Sequence, residues 1–448
     1  MVKASEICRG FECRINFPDG ISKVLVPERM SQSRVCRGSH GFVKKLLSKF
    51  WGLNKETWNL AMNEPKKLIH GFKVGMALSL VSLFYYMKPL YEGIGGNAMW
   101  AVLTVIVVFE YTVGATLSKC LNKAAGTFLA GVLGIGVHWI ARQFGQKFEP
   151  VILQGSVCII SAAATFSRFI PSIKAQFDYG VLVFILTICF ITVSGYRVEN
   201  LLELALHRLS TIAIGSSICI LTSMLFCPVW AGNELHNLIR NNMEKLADSL
   251  DGCIAQYFGC DINSNNTQSE TSNNILLGYK CVLDSRDTEE SLANFARWEP
   301  AHRGFNFGHP WKEYLKVGAS LRSCAYCIKA LNCTIDSGAQ GPDILKNHFS
   351  KCCIKLSSNS SAVLKELVVV MDTMTKSPKI DFKVSEMCSA VQEVQNALKA
   401  LSKQPIANPT IISLTEVIPL VTLSSLLIEI AGITGKIAKD VNGFANKA

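Results

Sequence analysis

AAGTFLAGVLGIGVHWIA, residues 124–141, runs for eighteen positions without a formally charged side chain. As a helix it would rise about 27 Å, close to the ~30 Å hydrocarbon core of a bilayer. Gly126, Ala130 and Gly134 recur every four residues and therefore share one helix face. Small residues at that spacing let two helix backbones approach closely inside a membrane. This segment reads as a membrane-spanning helix with a packed seam.

Working outward, five more apolar stretches of spanning length occur, at 68–87, 98–117, 150–170, 179–195 and 209–230. Trp100, Trp139 and Trp230 fall near their ends, where amphipathic rings favour the membrane interface. The whole chain agrees: of 448 residues 49% are hydrophobic and 18% charged, with a mean hydropathy of +0.27. That balance excludes a disordered chain, an ordinary soluble domain and a disulfide-stapled secreted module. The 17 cysteines are an odd number, so at least one has no intrachain partner, and reduced thiols are expected. The opening residues lack an apolar segment with a small-residue cleavage site, and no cleaved secretory signal is expected.

The net charge of +11 is unevenly placed. Residues 1–67 carry 13 Lys/Arg against 6 Asp/Glu, residues 68–230 carry 10 against 6, and residues 231–448 carry 22 against 22. The basic head, 1–67, holds no recognisable nucleic-acid module, so it reads as a cytosolic flank that fixes topology and touches anionic lipid. Six spans would put both termini on one side. With that side cytosolic, Lys49, Lys55, Lys66, Lys67, Lys119, Lys123, Arg168, Lys174, Arg240 and Lys245 lie on inner flanks. Lys88, Arg142, Lys147, Arg197 and Arg208 lie on outer ones, a bias that follows the positive-inside rule.

Beyond Trp230 the chain turns polar. Segments 233–257, 311–333, 343–374, 383–404 and 411–436 show helical apolar spacing, while 263–274 reads as a loop. IISLTEVIPLVTLSSLLIEI (411–430) has spanning length, but Glu416, Pro419 and Glu429 make a buried helix of a cytosolic bundle the better reading. The expected fold is thus all-α: a basic N-terminal segment 1–67, six transmembrane helices in 68–230, and a cytosolic helical domain in 231–448.

Motifs for soluble chemistry are nearly absent. Cys324 and Cys327 form a lone CxxC, and Cys352-Cys353 is a pair of thiols on one helix. No Walker loop, GxGxxG, HExxH or GxSxG occurs, and neither an enzyme, a metal site nor a cofactor is expected. Sequons at Asn265, Asn332 and Asn359 would stay unmodified in a cytosolic domain.

Ionisable residues in or beside the spans carry the functional signal. A charge in hydrocarbon costs several kcal/mol and therefore faces water, a cavity or a partner. Lys73 lies inside the first span, six residues after Lys67; Arg168 and Lys174 bracket the end of the fourth; Arg197 and Arg208 flank the entry to the sixth. For each alone, snorkelling or an ion pair is a sufficient account. Several of them with Glu110 as the single acid deep in the apolar spans point instead to a path for anions, which rings of Lys and Arg select. Glu110 has Lys119 as a candidate partner. Glu92, Glu199 and Glu203 fall on the expected outer face, as solvated carboxylates or as oxygen ligands for a hard cation.

Six long segments stand out: NEPKKLIHGFKVGMALSLVSLFYY (63–86), NAMWAVLTVIVVFEYTVGATLSKCLNKAAGT (97–127), ATFSRFIPSIKAQFDYGVLVFILT (164–187), SGYRVENLLELALHRL (194–209), CPVWAGNELH (227–236) and RWEPAHRGFNFGHPWKEYLKVGASLR (297–322). They resemble the plant aluminium-activated malate transporter family. The resemblance implies an anion channel passing malate and often chloride or nitrate, a homodimer with six spans per subunit, and a cytosolic helical domain containing Trp298-Glu299-Pro300. It maps the family's basic pore residues onto Lys67, Lys73, Lys174, Arg197 and Arg208. A position that is basic in some members is Leu182 here. Glu92, Glu199 and Glu203 lie near where aluminium is sensed in some members. The implied residence is the plasma membrane or the vacuolar membrane.

Two rivals remain at this stage. A proton-coupled organic-acid exporter would need a titrating group in the path, with His70, His138, Glu110 and His207 as candidates. A non-transporting membrane scaffold would use residues 231–448 to recruit partners.

Overall fold

The computed structural model describes residues 58–59, 61–62, 64–87, 98–145, 147–195, 201–259, 277–301, 309–337, 343–403 and 414–445. The first 57 residues of the expected basic segment 1–67, the loop 263–274, Asn265, Glu92, Arg197 and Glu199 fall outside them. By contact the chain divides into Met1–Pro65 and Lys66–Ala448. The helices belong to the second unit, α1 starting at its boundary.

Among the described residues every regular element is a helix. The apolar half holds α1 (Pro65–Tyr86), α2 (Ala98–Val108), α3 (Val113–Gln143), α4 (Glu149–Ser167), α5 (Pro171–Gly195) and α6 (Leu201–Leu225). The polar half holds α7 (Ala231–Phe258), α8 (Gly278–Leu283), α9 (Arg286–Ala296), α10 (Trp311–Asp336), α11 (Asp343–Thr373), α12 (Ile380–Lys403) and α13 (Leu414–Ala445).

The expected second span, 98–117, is broken. α2 stops at Val108 after 11 residues, about 16 Å of helix and too short to cross alone. Residues 109–112 turn the chain, and Thr112, in extended conformation, caps α3 by accepting from the amide of Ala115. The third span therefore starts at Val113 instead of 124 and runs 31 residues. The fifth starts at Pro171 instead of 179, and the sixth helix at Leu201 instead of 209. Among the described residues, four helices of this half are long and apolar enough to cross a membrane: α3, α4, α5 and the Ala205–Leu225 part of α6. α1 has 22 residues but carries Lys66, Lys67 and Lys73.

Gly126 and Gly134 do form a seam, and its partner is α5. A methyl group built on Gly126 would fall 2.5 Å from the Gly180 carbonyl oxygen, and one on Gly134 would fall 2.8 Å from Ile191 Cγ2. The glycines bring two backbones together where side chains would hold them apart.

The polar half closes around one hydrophobic core. Leu235, Ile239 and Leu246 of α7 meet Leu321 and Ile328 of α10, Leu364 and Leu367 of α11, and Leu423 and Leu427 of α13. α13 meets the length and apolarity of a span over Val417–Gly443, yet Leu420, Leu423, Leu427 and Ile430 are spent inside this core. That matches its reading as a bundle helix. The expected helices 233–257, 311–333, 343–374 and 383–404 correspond to α7, α10, α11 and α12; α8 and α9 were not foreseen.

Candidate functional site

A cavity of about 320 Å³ opens between α2, α3, α5 and α6. Most of its wall is apolar, and two cations enter it: Lys123 from α3 and Arg208 from α6. Among the described residues that line it, none is a carboxylate.

Arg208 is 7% exposed. Its guanidinium carbon lies 4.0 Å from the ring centroid of Trp100 and 4.2 Å from that of Phe190. Aromatic faces attract a guanidinium and offset part of the cost of removing it from water. They offer no acceptor, and Arg208 Nε and Nη1 make no hydrogen bond. A planar fork of five donors is thus held in place with Nε and Nη1 unused.

Lys123 is positioned differently. Its ammonium donates to Thr104 Oγ1 at 3.0 Å, and Thr104 donates to the Trp100 carbonyl at 2.7 Å. Two further wall groups, Thr127 Oγ1 and the Tyr179 hydroxyl, are buried without a hydrogen-bond partner. Two cations, spare donors, no acid and an apolar wall make a local environment that favours an anion.

The acid of this region is spoken for. Glu110 pairs with Lys119, whose ammonium sits 5.6 Å from the Tyr179 ring centroid. The pairing expected from the sequence is therefore present.

Of the residues assigned to an anion path, the structure brings Arg208 to the cavity, and Leu182 lines it as well. Lys73 is buried but does not line it; its ammonium donates to the Cys227 carbonyl at 2.8 Å. Lys67 is exposed in the first turn of α1. Lys174 is exposed in the first turn of α5, one turn before Asp178, which Arg168 grips with Nε at 2.7 Å and Nη2 at 3.1 Å. Glu203 is exposed in the first turn of α6, with His207 Nε2 3.6 Å away.

Lys123 is the residue the sequence reading missed. Placed before a span beginning at 124, it looked like an inner flank. The signal was there in Thr116, Lys119 or Cys120, Lys123 and Thr127, polar or small residues three or four apart that continue the helix N-terminally.

The family model described as Aluminium activated malate transporter matches residues 58–411. The chain belongs to the aluminium-activated malate transporter family. It is 48% identical over 467 residues to aluminum-activated malate transporter 10 of Arabidopsis thaliana, covering 98% of this chain and 94% of that protein. It is 44% identical over 394 residues to transporter 2 of the same plant, covering 88% and 77%. With aluminum-activated malate transporter 1 of Triticum aestivum it shares 40% identity over 368 residues, 80% of each chain. As a member of this transporter family with several helices long and apolar enough to span, the chain is a multi-pass membrane protein.

Proposed function

We propose that this chain is a passive anion channel for malate, also admitting chloride or nitrate, and not an enzyme. The observation that carries the reading is Arg208: a buried cation whose unpartnered Nε and Nη1 belong to a cavity shared with Lys123 and, among the described residues, with no carboxylate. An anion entering there gains charge-assisted hydrogen bonds without displacing an existing partner. It also leaves readily, because two cations and an apolar wall bind less tightly than a closed cage, and conduction needs weak sites. The membrane potential supplies about 2.3 kcal/mol per charge per 100 mV to drive it.

In this reading six crossings keep both termini and the bundle 231–448 in the cytosol, and two copies of the chain form the conducting unit. Lys67, Lys73, Lys174 and Arg197 act as vestibule cations that raise the local anion concentration, while Lys123 and Arg208 act at the narrow part. Glu92, Glu199 and Glu203 form an outer acidic rim able to meet a hard cation. The relatives' names, aluminum-activated malate transporters, support malate as the anion.

The deciding experiment is voltage clamp of the expressed chain with malate, chloride and nitrate exchanged on each side. Arg208→Gln and Lys123→Met should each reduce malate current while the protein stays in the membrane. Wild-type currents from both variants would reject the assignment.

A proton-coupled exporter stays in view because of one residue. His138 on α3 is 1% exposed and neither of its ring nitrogens has a hydrogen-bond partner. Flux that reverses with voltage alone, at equal pH on both sides, selects the channel. A scaffold role is separated by deleting 231–448 and measuring transport.

A further inference from the structure

Glu299 lies in the turn after α9, where its own amide bonds the Ala296 carbonyl at 3.3 Å. Its side chain ends among the first amides of two helices. Glu299 Oε1 accepts from Ala231 at 2.6 Å and from Gly114 at 3.1 Å, and Oε2 accepts from Gly232 at 3.1 Å. The residue is 5% exposed. α7 has no side-chain cap at Trp230, so this distant carboxylate does the capping. At α3 it adds to the cap that Thr112 provides. The positive ends of both helix dipoles thus converge on one anion.

The approach at α3 is possible because residue 114 is a glycine, while Gly232 makes room for Trp311 beside the start of α7. A methyl on Gly114 would fall 2.9 Å from Glu299 Cγ, and one on Gly232 would fall 2.9 Å from Trp311 Cζ2.

These two helices lead to the two cavity cations. α3 carries Lys123, nine residues on from Gly114. α7 follows α6, which carries Arg208, through the short strap 226–230. That strap is pinned on both sides, by Lys73 Nζ on the Cys227 carbonyl at 2.8 Å and by the Val113 amide on the Val229 carbonyl at 2.9 Å. At the other end, the segment bearing Glu299 follows Ala293 and Ala296, which are part of the bundle core.

We propose that Glu299 is the positioning residue through which the C-terminal bundle holds the anion cavity: one carboxylate ties the starts of α3 and α7, and so sets the separation of Lys123 and Arg208. It does not itself meet the anion. The proposal rests on the channel reading for its functional consequence, and its structural core can be tested apart from it.

The experiment uses the full-length chain in lipid nanodiscs, as wild type, Glu299→Gln and Glu299→Ala. Amide hydrogen exchange is followed in peptides covering 112–118 and 229–235. Removal of a cap predicts exchange faster by about tenfold in Glu299→Ala at both segments together, with a smaller rise in Glu299→Gln, which keeps one acceptor oxygen. If either segment keeps its wild-type rate, no tie exists. Malate flux is measured on the same preparations beside Arg208→Gln. Glu299 variants should lose flux several-fold and raise the half-saturating malate concentration only slightly, whereas Arg208→Gln should raise it strongly. Flux at the wild-type level, or a shift in half-saturation like that of Arg208→Gln, overturns the positioning role. A wild type that carries no anion at all removes the channel reading instead, and the exchange rates then decide the tie alone. Glu299→Gln covers the case in which Glu299→Ala does not fold.

Discussion

The guanidinium of Arg208 is stacked 4.0 Å above the ring of Trp100 while its Nε and Nη1 remain without acceptors. Burial of a cation is ordinarily settled by a carboxylate, and here two aromatic faces do part of that work and leave the donors available. The residue below it belongs to the same device: Trp100 offers its carbonyl to Thr104, and Thr104 accepts from Lys123. One residue of α2 therefore helps to place both cations.

Trp100→Leu should consequently damage conduction without touching either charge. Cation–π contacts of this kind are worth about 0.5–2 kcal/mol, so Arg208 would be less confined and malate current should fall by about threefold to thirtyfold. Surface labelling should show unchanged delivery to the membrane. Trp100→Phe keeps a weaker aromatic face and should fall between the two. Currents in Trp100→Leu equal to wild type would mean that the stacking does not orient the site.

Leu182 stands in the cavity wall. Leu182→Lys adds a third cation beside Lys123 and Arg208, and should favour dianions over monoanions. The expected outcome is a half-saturating malate concentration lowered several-fold, with a smaller change for chloride, read from concentration series under voltage clamp. The effect should weaken as ionic strength rises, since salt screens the added charge.

Much of this organisation was legible from the residues, and the failures are instructive. The 124–141 run and its glycine seam were readable because four-residue spacing is a local property of a helix. The bundle helices α7, α10, α11 and α12 were readable for the same reason. The break at 109–112 was not, because FEYT lies between two apolar stretches and hydropathy averages over it. What decides the break is a cap, Thr112 on Ala115, together with Thr116 donating back to the Thr112 carbonyl at 3.1 Å. That misplaced boundary hid Lys123. Arg208 was identified as a cation of interest, but its aromatic sandwich depends on Trp100 and Phe190, distant in sequence and joined only by the packing of α2, α5 and α6. The Glu299 carboxylate could not be read either, since its acceptors' partners are backbone amides, which leave no mark on the sequence apart from Gly114 and Gly232.

Gly126→Ala tests the α3–α5 seam. The added methyl would meet the Gly180 carbonyl at 2.5 Å, and backbone cannot move aside as a side-chain end can. Overpacking typically costs about 1–3 kcal/mol, so the variant should unfold at a lower temperature in detergent. Gly136→Ala on the same helix meets nothing within 4 Å and should leave the melting temperature unchanged or slightly raised. Equal behaviour of the two would show that the seam does not hold the helices together.

The bundle should lose stability in acid through two histidines. The Tyr314 hydroxyl lies 3.1 Å from His236 Nδ1 and 3.4 Å from His309 Nε2, with Trp311 stacked near His309 at 4.6 Å. Burial, and secondarily the neighbouring His236, pushes His309 down to about 4. Burial also lowers His236, against the pull of Asp372 and with a smaller push from Arg240. Both folded values lie below the ordinary 6.5, so between about 6.5 and 4 the unfolded chain binds more protons than the folded one. By linkage the stabilisation is whole above 6.5 and drains away as pH falls toward 4, by on the order of 1–3 kcal/mol. Thermal unfolding of the full chain from pH 7.5 to 4.5 should show a falling midpoint. His309→Gln, which cannot take up a proton, should flatten part of that slope even if it lowers the midpoint at neutral pH. A slope identical to wild type in His309→Gln would place the acid sensitivity elsewhere.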